Sequence, residues 1–322
     1  MASVRYRVLI PMRELVARGH DVILLSVDSE AQLRHLDFLS DADTIVLWKV
    51  PEVPGLFERA IEKARAKGAT VVYDLCDDHF DHAPFGEILV NTCRSADVVV
   101  ASTQLLAETI QSRTGRIACV IPEPYEGPKG KAKWSPASDR IKLLWFGHWT
   151  NLDTIEDVIP NFVEYGAKCP LSLTVVTTST IDLLTKFKQF NQRHRHRLSL
   201  RFVKWTSGDT WRELDAADIV VIPQKVNERT RNAKSANRLI ESVWAGRFVI
   251  ANPVPSYLEF GEWVALHENI CDGLDWSLAN QGLIASRIDG AQVHIEENFS
   301  PSMIAGRWEC VLLDAAATTP AR

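Results

Sequence analysis

Residues 217–261, ADIVVIPQKVNERTRNAKSANRLIESVWAGRFVIANPVPSYLEFG, constrain the fold of this chain more than any other stretch, because apolar runs, breakers and charge follow in a set order. Ile219 to Ile222 is a β-branched apolar run stopped by Pro223, the pattern of a strand buried on both faces of a parallel sheet. The loop beyond it carries Lys225, Arg229, Arg231 and Lys234. Ser235 stands where a helix N-cap is expected, ahead of Ala236, Leu239, Ile240, Val243 and Trp244 at helical spacing. Gly246 ends that helix and 248–251 reads as the next strand, which makes a β-loop-α-β unit whose loop lies at the carboxyl edge, where open α/β sheets bind ligands. Unpaired N–H groups and the positive dipole end at 235–238 favour phosphate, and the nearby cations add to that preference. Asn237 and Glu241 share a helix face, so a carboxylate sits one turn behind the phosphate end, where ribose hydroxyls can donate to it. A nucleoside diphosphate suits this spacing. The plainer reading makes Lys234, Arg238 and Glu241 a solvated helix face whose i,i+3 and i,i+4 pairs contribute little.

At 322 residues, 46% hydrophobic and 24% charged, the chain is long enough for two α/β domains, each with its own core. A net charge of −5 leaves no face-wide basic excess, which argues against a nucleic-acid partner held through phosphate contacts, although local basic patches are compatible with it. The six cysteines form no C-x-x-C pair, so neither a zinc site nor a disulfide framework is expected, and a reducing cytoplasm fits. No apolar run approaches the roughly 20 residues that cross a bilayer, and no signal-peptide pattern is present. A cytoplasmic protein is expected, with peripheral membrane contact left open.

The rhythm of the chain predicts a helix over 5–18 and a strand over 22–27. Further strands follow at 44–48, 70–75, 98–101 and 119–121, with helices at 55–67, 84–94 and 103–113 between them. Strands alternating with helices imply a parallel sheet. Residues 128–139, PKGKAKWSPASD, break the apolar rhythm and read as a linker. Strands at 141–146, 172–177, 198–203, 219–222 and 248–251 then alternate with helices at 154–165, 180–193 and 210–216, and 300–315 reads as a closing helix. The expected domains are therefore 1–127, a linker 128–139, 140–299, and a terminal helix in 300–322.

The strand at 70–75 runs into Asp74, Asp77, Asp78, His79, Asp81 and His82 at its carboxyl end. These residue types serve metal ligation, general-base work on a hydroxyl, or hydrogen bonding to a sugar, and Asp74 or Asp77 can equally cap the next turn. Spacing does not separate these readings. Phe146-Gly147-His148-Trp149-Thr150-Asn151 follows the first strand of the second half, and glycine there permits close backbone approach to a ligand. The basic run 193–197 lies between a helix and a strand and reads as a solvated loop.

The stretch 217–261 resembles the C-terminal domain of GT-B glycosyltransferases of the family 4 type, where a strand ending in Pro leads to a helix whose Glu holds the donor ribose; Glu241 occupies that place. Residues 72–78, VYDLCDD, resemble a Tyr-Asp-x-Asp-Asp signature of the same enzymes. Ser3-x-Arg5-x-Arg7 and the ending Leu15-x-x-x-Gly19-His20 resemble their first loop and helix. The resemblance implies two Rossmann-like domains with parallel sheets, the N-terminal one lacking its usual first strand. It implies transfer of a sugar, with retention, from a UDP or GDP donor to an acceptor hydroxyl, in polysaccharide, glycolipid or glycoconjugate synthesis. Arg231, Lys234 and the helix start from Ser235 through Asn237 to Arg238 would hold diphosphate, Glu241 the ribose, and Gly147, His148 and Trp149 would line the donor pocket. Asp77, Asp78 and His79 form the candidate catalytic group, with Arg5 and Arg7 binding the acceptor. No metal and no cofactor beyond the donor is expected. The partners implied are a nucleotide sugar and a saccharide, lipid-linked or protein acceptor, with enzyme-complex contact open. Two departures stand out: the first of the family's paired glutamates falls on Ala233, and 177–180 lacks the usual Arg and Lys. A noncatalytic GT-B-like subunit that binds nucleotide or a partner, and a nucleotide-sugar epimerase, are the alternatives.

Overall fold

Two parallel sheets organise the chain, each in its own compact unit. The computed structural model describes residues 2–51, 53–134, 140–178 and 182–318. One unit comprises residues 1–124, 229–235 and 298–322; the other comprises 125–228 and 236–297. Residues 128–134 of the expected linker fall in the second unit, whereas 135–139 lie outside the described residues, as do 179 and 180 of the 177–180 loop.

The N-terminal sheet contains β1 (Thr44–Trp48), β2 (Thr70–Leu75), β3 (Val98–Ala101) and β4 (Ala118–Val120) in the order β1-β2-β3-β4, all parallel. Every residue of β2 is buried, as a central strand covered on both faces requires. Val71, Tyr73 and Leu75 pack into a core with Phe57, Ile61, Leu89, Leu106 and Ile110 from three helices. Val72 points the other way, into a second cluster with Val100, Leu15, Ile304 and Trp308. That face is covered by helix Ile10–Ala17 and by the terminal helix Pro301–Thr318, which belongs to this unit.

The strand expected at 22–27 does not form. β1 remains an edge of the sheet because 22–27 does not pair with it, and Ile23 and Leu24 are 63% and 52% exposed, so little burial favours the pairing. An isolated apolar run gains no paired backbone hydrogen bonds and stays irregular. Residues 30–41, which carry no strong periodic signal, form a 3-10 helix.

The C-terminal sheet contains β5 (Ile141–Phe146), β6 (Leu171–Thr177), β7 (Leu198–Lys204), β8 (Ile219–Ile222), β9 (Phe248–Ala251) and β10 (Ala265–Leu266). Its order is β10-β9-β8-β5-β6-β7, with every pairing among the described residues parallel. The chain winds outward from β5 to β7, then returns to β8 on β5's other side. That reversal is a doubly wound topology, in which ligands bind at the carboxyl ends of the strands flanking the switch, here β5 and β8. The segment expected as one helix at 154–165 is two, Leu152–Glu156 and Ile159–Tyr165, with Pro160 at the start of the second. Helices Ile270–Ala279 and Gln281–Phe299 have no clear periodic signal in the sequence, because their apolar residues mingle with polar ones around much of each helix.

Candidate functional site

In the C-terminal unit the candidate site forms where β5 and β8 diverge. Gly147 leaves β5 with its N–H donated to Val176 O at 3.1 Å, tying the loop to the end of β6. A Cβ at this position would lie 3.2 Å from the Trp145 ring and 3.4 Å from Arg238 Nη1. Glycine here lets the guanidinium lie against the loop without displacing its neighbours. Arg238 comes from the first turn of helix Asn237–Trp244, with its Cζ 5.9 Å from the centroid of the Trp145 ring and a long 3.5 Å hydrogen bond to Phe146 O. Among the described residues no carboxylate pairs with Arg238. Its charge is thus held at the switch point by an aromatic face and one carbonyl.

The same edge holds three buried polar atoms without a protein partner: Trp145 Nε1 beneath Gly147, Thr177 Oγ1 at the end of β6, and Asn237 Oδ1 in the first turn of the helix. Buried polar atoms are nearly always paired, so such a group marks a place where a polar ligand or ordered water completes the structure. His148 and Trp149 are exposed. The His148 side chain accepts from Thr150 N and so starts the short turn Trp149–Asn151. Glu241 is buried on the same helix as Arg238. Asn252, which the sequence reading passed over, accepts from Gln224 N at 2.7 Å and donates to His267 O and Glu268 O, joining the ends of β8, β9 and β10. Lys225, one of the expected loop cations, is taken up by Asp153 at 2.8 Å, with Asp157 and Glu228 nearby.

Ser235 is not the N-cap of the helix. Ala236 holds that position and no side chain caps the helix start. The Ser235 hydroxyl instead donates to Glu123, and Thr103 Oγ1 donates to Ala233 O at 2.7 Å, so residues 229–235 are built into the N-terminal unit. Glu123 is fully buried, and that burial raises its pKa even though Arg7 and the Ser235 hydrogen bond oppose the rise. The expected diphosphate group is thereby divided: Arg231, Lys234 and Ser235 belong to one compact unit, Asn237, Arg238 and Glu241 to the other.

In the N-terminal unit the acidic cluster separates into distinct roles. Asp74 is buried and receives Arg7 Nε at 3.0 Å and Arg7 Nη2, while Arg7 Nη1 donates to Ile121 O. The Arg7 side chain is wholly buried, so it is a structural ion pair and not the acceptor-binding cation expected. Burial works against the guanidinium charge, but Asp74 outweighs it and raises the pKa of Arg7. Arg5 is half-buried over the Tyr6 ring, donating to its hydroxyl at 3.1 Å. Asp78 is buried with Oδ1 accepting from Phe80 N at 3.2 Å, so the turn-capping role considered for Asp74 or Asp77 belongs to Asp78.

Asp77 is the carboxylate at the edge of this group. Its Oδ2 lies 3.2 Å from Lys49 Nζ, and Cys76 Sγ approaches Oδ2 at 3.7 Å. Burial pushes its pKa up, yet Lys49 and Lys234 outweigh burial and hold it below the ordinary value. His79, by contrast, is kept from protonating: burial lowers its pKa, His82 and Lys49 lower it further, and the opposing pull of Asp77 does not reverse the shift. The rings of His79 and His82 meet edge to face at 5.5 Å. Among the described residues no group of three or more His, Cys, Asp or Glu side chains is arranged to hold a metal ion. An ionised carboxylate beside a neutral imidazole can accept hydrogen bonds from a hydroxyl and take up its proton. A separate open depression of about 520 Å³ beside Tyr165, Lys168 and Cys271 contains none of these residues.

No family model matches the chain, and no curated protein matches it either. Solved structures do. HepE of Anabaena, in complex with UDP and glucose, superimposes with a TM-score of 0.68 at 13% identity over 94% of this chain and 88% of that one. The chain has the GT-B fold. TarM of S. aureus gives 0.65 at 16% identity over 87% of this chain, which spans 57% of the length of TarM. The GtfA/B complex gives 0.64 at 15% identity over 92% of this chain and 62% of that one. At these identities the likeness carries the two Rossmann-like sheets of the GT-B fold.

Proposed function

We propose that the protein is a glycosyltransferase that moves a sugar from a nucleoside diphosphate, UDP or GDP, to an acceptor hydroxyl. The observation that carries this reading is Arg238. A guanidinium without a carboxylate partner among the described residues rests against Gly147 at the topological switch point, beside a helix start that no side chain caps and three unpartnered buried polar atoms. Such a place suits a diphosphate, which takes bidentate hydrogen bonds from arginine and favours helix N-termini. The binding of UDP and glucose by the similar HepE supports the same ligand class. Glu241, one turn further along the helix, is proposed to hold the ribose.

In the reaction the acceptor oxygen bonds to the anomeric carbon while the bond from that carbon to the phosphate oxygen breaks. The nucleoside diphosphate leaves with the bonding pair, and the acceptor proton passes to a leaving-phosphate oxygen, as the resemblance to retaining enzymes implies. Arg238 stabilises the charge that develops on the departing diphosphate, the kind of electrostatic contribution that dominates such reactions. Asp77 and His79 are proposed to bind and orient the acceptor hydroxyl. Incubation with a panel of UDP- and GDP-sugars tests the reading: release of nucleotide, enhanced by a saccharide or lipid-linked acceptor, supports it, and interconversion of the donor sugar without release contradicts it.

A noncatalytic nucleotide-binding subunit is the second reading, and Ala233 favours it. The place of the first paired glutamate is taken by a fully buried methyl group in the N-terminal core. Tight nucleotide binding without turnover on the whole panel would select this reading.

A further inference from the structure

Immediately beyond β1, Lys49 adopts φ +59°, the one non-glycine residue among those described with a left-handed backbone. A lysine side chain disfavours this conformation, which persists only where its surroundings impose it. Two neighbouring residues of β2 impose it here. Lys49 N donates to Asp74 O at 3.1 Å, and the hydroxyl of the fully buried Tyr73 donates to Lys49 O at 2.6 Å. With its peptide clamped on both sides, the residue sends its ammonium past the Trp48 ring, 5.2 Å from the centroid, to Asp77 Oδ2 at 3.2 Å. Glycine or asparagine would satisfy the backbone more easily. Neither would bring a cation to Asp77.

We infer that Lys49 is a positioning residue: it fixes the Asp77 carboxylate in place and in orientation, and the left-handed backbone is retained for that purpose. Asp77 is also faced by Lys234, Cys76 and His79, and its own charge helps raise the pKa of Glu123. Of these, Lys49 alone both touches the carboxylate through an ion pair and hydrogen-bonds to it. The charge on Asp77 thus depends on Lys49 more than on any other single group. Where Asp77 acts on an acceptor hydroxyl, the inference rests on the glycosyl-transfer reading. The coupling of Lys49 to Asp77 does not.

Lys49→Gly separates function from folding, because it relieves the left-handed backbone while removing the cation. Three measurements on the full chain are compared with wild type and Lys49→Arg: thermal stability, the Asp77 carboxyl titration by carbon-13 NMR, and kcat/KM against pH for a donor that turns over. The expected result is a melting temperature for Lys49→Gly at or above wild type, with an Asp77 carboxyl about tenfold or more weaker as an acid, since burial then acts with less opposition. kcat should fall about 10-fold to 100-fold with donor KM unchanged, and Lys49→Arg should restore most of it. An Asp77 titration unmoved in Lys49→Gly overturns the inference, as does a loss of stability that Lys49→Arg shares. If the titration moves while wild type turns over no donor, the coupling stands and the transfer reading fails.

Discussion

The Ser235 hydroxyl donates to the buried carboxylate of Glu123, 112 residues away in sequence. The residue just ahead of helix Asn237–Trp244 therefore serves the N-terminal unit, and the helix start is left without a side-chain cap. Removing this bond with Ser235→Ala leaves a buried carboxylate short of a donor and should cost about 1–3 kcal/mol of stability. Chemical denaturation of the full chain measures this directly.

Glu123→Gln should behave differently, because the amide oxygen still accepts from Ser235 while the buried charge is gone. Burial raises the folded-state pKa of Glu123 above its ordinary 4.5. The folded state therefore binds the proton more readily than the unfolded chain, and wild type gains stability as pH falls through the folded-state value. Glu123→Gln should be at least as stable as wild type at neutral pH, with its advantage shrinking on acidification toward about pH 4.5. Denaturation curves across that range decide the point, and an advantage that grows with acidification would contradict it.

Arg7 and Asp74 make the complementary case. Arg7→Met strands a carboxylate in the core and should cost about 3–5 kcal/mol, whereas pairing it with Asp74→Leu should recover most of the loss. The readout is the coupling energy from a double-mutant cycle; additive losses would show that the two side chains do not depend on each other.

Much of the fold is legible in the sequence, because β2, β3, β5, β8 and β9 are short, mainly apolar runs, and their observed limits match the expected ones. The 22–27 segment has the same composition without forming a strand, since a strand is made by its neighbour as much as by its own residues. The site was harder to read. Arg238 and Glu241 follow from local spacing in one β-loop-α-β unit, and Gly147 from the loop that ends β5. The fates of Arg7 and Ser235 depend on Asp74 and Glu123, distant in sequence. Lys49 offered no more signal than a lysine one residue past an apolar run, and the backbone angle that gives it meaning is set by Tyr73 and Asp74 on β2.

His79 gives a prediction about acid. Its folded-state pKa lies below the ordinary 6.5, so as pH falls through that value the unfolded chain takes up a proton that the folded state resists. Stability should therefore decline on acidification through this window. His79→Gln should flatten that part of the profile, which thermal melts at a series of pH values would reveal.

The most direct test of the whole account is calorimetric titration of wild type, Arg238→Ala and Lys225→Ala with UDP and with GDP. The account predicts that wild type binds at least one of the two, that Arg238→Ala weakens this binding about 10-fold to 100-fold through loss of charge-assisted hydrogen bonds, and that Lys225→Ala changes it little. Wild-type affinity in Arg238→Ala, or no binding of either nucleotide by wild type, would contradict it.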